Sequence, residues 1–419
     1  MERWVVAAKR ADFTAIGKEF GIDPVIARLI RNRDVQDREE IRRYLYGTVE
    51  ELASPHLMKD VDKAVEILRN KIKEKNRNAR IMFIGTTRGL ENDLVPRAGY
   101  ELKTIDAYGI NRKISISNIK NMFKTLKGFG EAKKIVKDFN PDIVIGTGGF
   151  ICGPTIMAAK KYKIPTLLHE SNAFPGVATK MLAKRVDTIL VGFEEAKQRL
   201  PKAKNVVVTG TPTKIKGIAM SQAQKDIMKK EMDLKNDLPV ILIFGGSQGA
   251  KTINETLKNI ILNKLNKDYQ IIWASGPKQY DIIKQELKEQ KININKIENV
   301  KIIPYIYNME EVMNVADIIV SRSGAMTITE IAKIGKPAIF IPFPFATENH
   351  QEYNAKVLEK VGAARIILDK DLNAQSLSNT IEEMLKDKNK LEQMGQNAKK
   401  VSVNYVEDKI YEEIEKVIK

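Results

Sequence analysis

The chain of 419 residues contains one cysteine, Cys152, and three histidines. A lone cysteine excludes a disulfide framework and any cysteine-ligated metal site, and it suits a reducing compartment such as the cytoplasm. Cys152 itself reads as a small buried hydrophobe. No apolar run approaches the roughly 20 residues that a membrane-spanning helix requires. The opening MERWVVAAKR lacks the apolar core of a signal peptide, so export is not expected. His56 stands in a polar stretch with no second His or Cys nearby, which argues against a metal there. The triplet Asp60-Val61-Asp62 falls at a helix start, where capping is the simpler role. No Asp-x-Asp motif follows a strand pattern in the later chain, which fits chemistry that needs no metal.

Positive charge is in excess, with a formal net charge of +17. Anionic partners follow: nucleotides, nucleic acid or an acidic membrane surface, among which charge alone does not choose. With 43% hydrophobic residues, the chain is long enough for two or more domains with real cores.

Residues 1–68 read as a string of small amphipathic helices. Ile16 and Phe20, then Val25, Leu29 and Ile30, keep helical spacing, and Asp23-Pro24, Asp37 and Asp60 mark helix starts. From about 69 the pattern changes to strand and helix in alternation. Apolar strands are expected at 81–84, 142–145, 166–169, 188–191 and 206–209, and the series restarts at 240, 271–273, 301–303, 318–320, 338–341 and 365–368. Such alternation implies parallel sheets covered by helices on both faces. The expected organisation is therefore a helical segment (1–68), a first α/β domain (69–211), a second (212–395) and a C-terminal helix (396–419), with a cleft between the α/β domains and the boundary at 210–218.

The chain is organised around 238–250, LPVILIFGGSQGA, a buried strand running into a glycine-rich turn that opens a helix at Lys251. Gly245, Gly246 and Gly249 let the backbone come close to an anion, and the free amides and dipole of the helix favour negative charge. Such a turn can also serve only to pack helix on sheet. Its distant partner, 323–330, favours a ligand. Ser323 and Gly324 open a helix carrying Thr327, Thr329 and Glu330, and a carboxylate there can bind the two hydroxyls of a ribose.

From 69 onward, roughly five sixths of the chain, the sequence resembles the MurG family of N-acetylglucosaminyltransferases. The motifs that carry the resemblance are GTTRGLENDLVP (85–96), GTGGFICGP (146–154), HESNAFPG (169–176), GTPTK (210–214), GGSQGA (245–250) and SRSGAMTITEIAKIGKPAIFIPFPFATENHQEYNA (321–355). The resemblance implies the α/β GT-B architecture of two Rossmann-like domains, donor nucleotide on the second and acceptor on the first. It implies transfer of N-acetylglucosamine from UDP-N-acetylglucosamine (UDP-GlcNAc) to lipid I, with inversion and without a metal or cofactor. Gly246, Ser247, Gln248 and Gly249 would hold the diphosphate, and Ile306 would line the uracil pocket. Ala325, Met326, Thr327, Ile328, Thr329 and Glu330 would complete the uridine site, with Glu330 on the ribose. Asn172 and Gln351 would contact the sugar. Gly148 and Gly149 belong to an acceptor loop, His169 and Glu170 either do acid–base work or brace that loop, and His350 stands at the cleft rim. Lys214 occupies the place of an Arg in the family's GNPVR, which keeps charge but loses the planar fork.

Two departures stand beside the resemblance. The family begins with a strand, the turn GGTGGH and a helix, its His being the expected base; here Lys71–Lys75 joins directly to a segment resembling the N-terminus of RecJ-type exonucleases, whose metal motifs are absent. The first domain is therefore expected to be N-terminally truncated, and a UDP-sugar-binding chain without turnover is an alternative to the transferase. Single-stranded nucleic acid is not an expected partner, since only charge and the N-terminal likeness point to it. In 119–134, Ile119, Met122, Phe123, Leu126 and Phe129 share one helical face fringed by Lys120, Lys124, Lys127, Lys133 and Lys134. That face suits either an anionic inner-leaflet surface, giving a peripheral protein on the cytoplasmic side, or ordinary core packing.

Overall fold

The computed structural model describes residues 12–27, 41, 79–89, 91–108, 116–245, 251–294 and 297–419, with the backbone alone for 116–126. His56, the helix starts at Asp37 and Asp60, the junction at 68–75 and the turn residues Gly246, Ser247, Gln248 and Gly249 lie outside the described residues. The chain divides by its internal contacts into Met1–His56 with Arg88–Leu90, and Leu57–Thr87 with Glu91–Lys419. The boundary expected at 68 therefore falls inside the second unit.

In the first unit, α1 (Phe13–Phe20) is capped by Asp12, whose carboxylate accepts the amide of Ala15 at 2.9 Å. Asp23 accepts the amide of Val25 at 2.8 Å and starts a helical turn at Pro24, where a missing N–H costs nothing.

The second unit begins with β1 (Met82–Gly85), α2 (Glu91–Arg97) and β2 (Glu101–Thr104), a parallel pair. Its second strand is not evident from the sequence, because ELKT carries two charges and alternates exposed with half-buried positions at a sheet edge. There follow α3 (Ile116–Phe139), β3 (Val144–Gly146), α4 (Cys152–Lys161), β4 (Thr166–Glu170), α5 (Val177–Leu182), β5 (Thr188–Val191), α6 (Glu194–Lys197) and β6 (Val206–Val208). The last four strands form a parallel sheet in sequence order, and among the described residues no strand joins β1 to β3. The two pieces share one core, where Ile84 meets Ile105, Ala132, Val136, Ala158, Ala159 and Val144. Phe129, read from the sequence as part of a bilayer-facing stripe, packs against this core with Ala132, Ile135 and Val136 at helical spacing. The side chains of Ile119, Met122, Phe123 and Leu126 lie outside the described residues.

After a linker come α7 (Gln222–Glu231), β7 (Val240–Phe244), α8 (Lys251–Leu262), β8 (Gln270–Ala274), α9 (Pro277–Glu289), β9 (Val300–Ile303), α10 (Met309–Val315), β10 (Ile318–Ser321), α11 (Ala325–Ile334), β11 (Ala338–Phe340), α12 (His350–Lys360), β12 (Ala364–Ile366) and α13 (Ala374–Leu385). The six strands are parallel in the order β12-β11-β10-β7-β8-β9. All of β7 is buried: Val240, Leu242 and Phe244 enter one core, Ile241 and Ile243 the opposite one. The linker belongs physically to this half. Glu310 of α10 accepts the amides of Lys216, Gly217 and Ile218 at 3.0, 2.8 and 3.1 Å, and Asn314 holds Ile218 and Met220.

The C-terminus corrects the expected boundary at 396, which falls inside α14 (Lys388–Val401). The last helix, α15 (Val406–Ile418), follows Tyr405 in the left-handed region and returns to the first half, where Val406, Ile410 and Ile414 cover Leu167 of β4 and Leu190 of β5. Gly210 must be glycine for this return: its φ is 79°, and a Cβ would meet Val403 at 2.8 Å. Because Ile410 is 1% exposed, Ile410→Ala is expected to lower unfolding free energy by about 2–5 kcal/mol, read as a shift in denaturant midpoint.

Candidate functional site

In the six-stranded sheet the winding direction reverses between β7 and β10. The two loops leaving the carboxyl ends of these strands lead to helices that pack on opposite faces, α8 in one core and α11 in the other, and such a switch point is where doubly wound sheets bind ligands. One loop is the glycine-rich turn between Phe244 and Lys251; the other is Ser321-Arg322-Ser323-Gly324, leading into α11.

A largely buried ion pair ties the loop after β10 to the first turn of α8. Arg322 donates to the carbonyls of Ile341 and Pro342 at 3.0 and 3.2 Å and pairs with Asp369 at 2.5 Å, while Asp369 accepts the hydroxyl of Thr252, in the first turn of α8, at 3.2 Å. Neither Arg322 nor Asp369 was singled out in the sequence, although a charge directly after the apolar run IIVS was the available signal.

The residues expected to bind the nucleotide divide by face. Met326 and Ile328 are buried, Ile328 in the core, so their side chains are not free for a ligand. Ala325, Thr327, Thr329 and Glu330 are half-buried, and the hydroxyl of Thr329 is spent on the carbonyl of Ala325 at 3.0 Å. Glu330 accepts the hydroxyl of Thr213, next to the exposed Lys214, at 3.3 Å. Ile306 is buried in the donor-side core between Tyr305 and Tyr307, whose rings meet edge to face at 5.0 Å. Gln351 is buried in the first turn of α12, and its carbonyl oxygen accepts the amide of Phe343 at 3.0 Å, which leaves its NH₂ group as the end that can serve a ligand. His350 donates from Nδ1 to the carbonyl of Thr347 at 2.7 Å, at the exposed rim.

The first half presents two loops. After β3, Gly148 and Gly149 take φ of 99° and 79°, a conformation L residues rarely adopt, and the thiol of Cys152 donates to the carbonyl of Gly148 at 2.7 Å. Burial pushes the Cys152 thiol up to about 11, so it is a neutral structural group. After β4, Glu170 accepts the backbone and side-chain N–H of Asn172 on one oxygen, both at 3.0 Å, and the amide of Gly176 and the hydroxyl of Thr179 on the other, at 2.9 and 2.7 Å. Four donors occupy all four lone-pair sites of the carboxylate. His169 lies 2.9 Å from the carbonyl of Gly210 through Nε2, which must therefore carry the proton, leaving Nδ1 to face the hydroxyl of Ser171 at 3.4 Å. In this arrangement both residues brace the loop.

The two halves meet at α12. Asn354 accepts the amide of Ala173 at 2.9 Å and donates to the side-chain carbonyl of Asn172 at 3.1 Å and to the carbonyl of Ser323 at 3.2 Å. Phe174 stacks on Tyr353 at 4.5 Å, and Lys180 pairs with Glu348 at 3.0 Å. The loop that carries Asn172 is thus set against the loop that opens the nucleotide crevice. Sequence reasoning had not identified Asn354, Phe174 or Tyr353.

A six-stranded parallel sheet wound both ways from β7 and β10, following a four-stranded parallel sheet and the β1–β2 pair with helices between the strands, is the α/β arrangement of the GT-B glycosyltransferases. Residues 67–191 match the glycosyltransferase family 28 N-terminal domain, and 240–410 match its C-terminal domain. The chain belongs to glycosyltransferase family 28. It is 42% identical over 349 residues, 83% of this chain and 92% of the relative, to the UDP-N-acetylglucosamine–N-acetylmuramyl-(pentapeptide) pyrophosphoryl-undecaprenol N-acetylglucosamine transferase of Acetivibrio thermocellus. The enzyme of the same name from Thermoanaerobacter sp. is 42% identical over 362 residues, 86% of this chain and 96% of the relative. Among solved structures, MurG of Acinetobacter baumannii superposes with a TM-score of 0.68 at 26% identity, covering 87% of this chain and 97% of that one. A UDP-GlcNAc 2-epimerase from Neisseria meningitidis, at 16% identity and a TM-score of 0.55, shares the fold.

Burial holds His169 below its ordinary 6.5, outweighing the Gly210 hydrogen bond and the charge of Glu170, which act the other way. The native state therefore binds fewer protons than the unfolded chain as pH falls through about 6.5, and stability is lost in that direction. His169→Gln, which keeps an N–H for Gly210, is expected to show a flatter fall in urea midpoint between about pH 7.5 and about pH 5.5 than the parent chain.

Proposed function

We propose that the chain transfers N-acetylglucosamine from UDP-GlcNAc to the muramyl pentapeptide carried on undecaprenyl diphosphate, converting lipid I to lipid II. The observation that carries this reading is the switch point between β7 and β10, with Glu330 on the helix that follows β10, in a chain 42% identical to transferases named for that reaction. UDP-GlcNAc is the donor substrate, and the reading calls for no resident cofactor or metal.

An acceptor hydroxyl attacks the anomeric carbon from the side opposite the diphosphate, so the new C–O bond forms as the bond to UDP breaks and configuration inverts. The developing charge on UDP is met by the N-terminus of α8, with Gly246, Ser247, Gln248 and Gly249 assigned to the diphosphate. Lys214 adds a point charge rather than a fork. Glu330 takes the ribose hydroxyls, Ile306 flanks the base, and the NH₂ of Gln351 orients the sugar, while Asn172, bonded to Glu170 and Asn354, holds its loop rather than the donor. The acceptor proton must pass to a base. Glu170 has no lone pair left for it, and buried His169 is held as a brace.

A second reading, a UDP-sugar-binding chain without turnover, is favoured by one observation: among the described residues the first sheet is interrupted between β1 and β3. Transfer of labelled N-acetylglucosamine to a lipid I analogue separates the two. Turnover supports the transferase, whereas UDP binding with no transfer supports the alternative. In the active chain, Glu330→Ala is expected to raise KM for UDP-GlcNAc by about 10–100-fold through loss of charge-assisted hydrogen bonds.

The net charge of +17 and the exposed Lys127 and Lys134 along α3 support peripheral association with an anionic inner leaflet, where a lipid-linked acceptor resides. Among the described residues no helix is long and apolar enough to cross a membrane. Sedimentation with anionic vesicles is expected to carry the chain down and to fail after charge reversal of Lys120, Lys124, Lys127, Lys133 and Lys134; binding that survives reversal would sink this part of the reading.

A further inference from the structure

Asn354 is fully buried on α12, and its amide makes three hydrogen bonds, two across the junction of the halves and one to Ser323 in its own half. Both of its N–H groups are used, one on Ser323 at the nucleotide crevice and one on Asn172. Its oxygen takes the amide of Ala173. Asn172 passes the connection on, because its backbone N–H and one N–H of its side chain end on one oxygen of Glu170, whose other oxygen holds Gly176 and Thr179 at the start of α5. A continuous polar chain therefore runs from the donor loop Ser323 through Asn354, Asn172 and Glu170 into the acceptor-side loop. Its polarity is unambiguous: each donor meets an acceptor that only one orientation of the two amides allows.

We propose that Asn354 is a positioning residue that sets the acceptor-side loop 172–176 against the occupied donor crevice, so that transfer depends on it while donor binding does not. The proposal deepens the transferase reading and rests on it for its kinetic part. The physical reason is geometric. Transfer needs the donor carbon and the acceptor oxygen within a near-attack distance, and a displacement of about 1 Å from a remote change costs on the order of 100-fold in rate. Gln351, three residues before Asn354 on the same helix and pinned to Phe343, shares the helix that the latch holds, whereas Tyr353 and Phe174 add an aromatic contact with no directional preference of this kind. A side chain that can donate twice and accept once in so short a reach is Asn; Asp in its place would set a carboxylate against the carbonyls of Ser323 and Asn172.

The test uses the full-length chain with Asn354→Ala and the isosteric Asn354→Asp, each checked for a cooperative thermal transition. Expected are a kcat lower by about 10–100-fold and a Kd for UDP-GlcNAc within about twofold of the parent. Asn172→Ala combined with Asn354→Ala is expected to lose no more kcat than the worse single variant, because both cut one chain. A folded variant with unchanged kcat, a loss carried equally in donor Kd, or additive losses in the double variant would overturn the proposal. Should the parent chain bind UDP without turnover, the transferase reading fails and the latch is read from amide exchange instead. UDP is then expected to slow exchange at Ala173 by about 5–150-fold in the parent and not in Asn354→Asp, the range of an ordinary coupling between sites; equal slowing in both would overturn it.

Discussion

The constraint on which the donor half depends is that β7 must bury both faces. A parallel strand with helices above and below has no side for a polar residue, so VILIF sends Val240, Leu242 and Phe244 into one core and Ile241 and Ile243 into the other. With this strand central, β8 and β9 are laid down on one side and β10 to β12 on the other. The reversal leaves the crevice. A packed core lies on each face of the sheet, and the loop after β10 is bound to the first turn of α8 through Arg322, Asp369 and Thr252. A buried ion pair of this kind contributes little net stability against an apolar replacement, but removing one member leaves an uncompensated charge, so it specifies the arrangement more than it strengthens it.

The first half is organised differently. Among the described residues its sheet is interrupted between β1 and β3, and cohesion comes from the core under α3 and α4 and from α15, which returns from the far end of the chain to cover β4 and β5. The halves are consequently joined twice, through the linker clamped by Glu310 and through α15. The Asn354 chain and the Phe174–Tyr353 stack lie across the same junction. Buried hydrogen bonds there are directional, whereas apolar contacts would tolerate sliding; a junction that must hold two substrates in register has reason to use the former.

Most strands were legible in the sequence to within one or two residues, because buried parallel strands are short unbroken apolar runs and nothing else in this chain resembles them. The exception, β2, is an edge strand whose ELKT alternates rather than runs. The stripe ending at Phe129 was legible as amphipathic, but periodicity gives the width of an apolar face and not what covers it, and the core took Phe129. At the site, glycines and the Glu330 carboxylate announce themselves by type. The division of 325–330 into a core face (Met326, Ile328) and an open face follows only once the helix is placed on its sheet.

The sequence by itself determined the class of fold, the order of every strand but β2, and the family, because these rest on local pattern and on motif. Tertiary structure alone decided that the Glu170 oxygens are filled and that His169 meets Gly210, that Asn354 reaches across to Asn172, that Arg322 meets Asp369, and that the last helix belongs with the first half. Each of these joins residues far apart in the chain or turns on which lone pairs are already taken. Neither is a property of any residue's own neighbourhood in sequence: a carboxylate looks the same on paper whether its oxygens are free or filled, and only packing settles which.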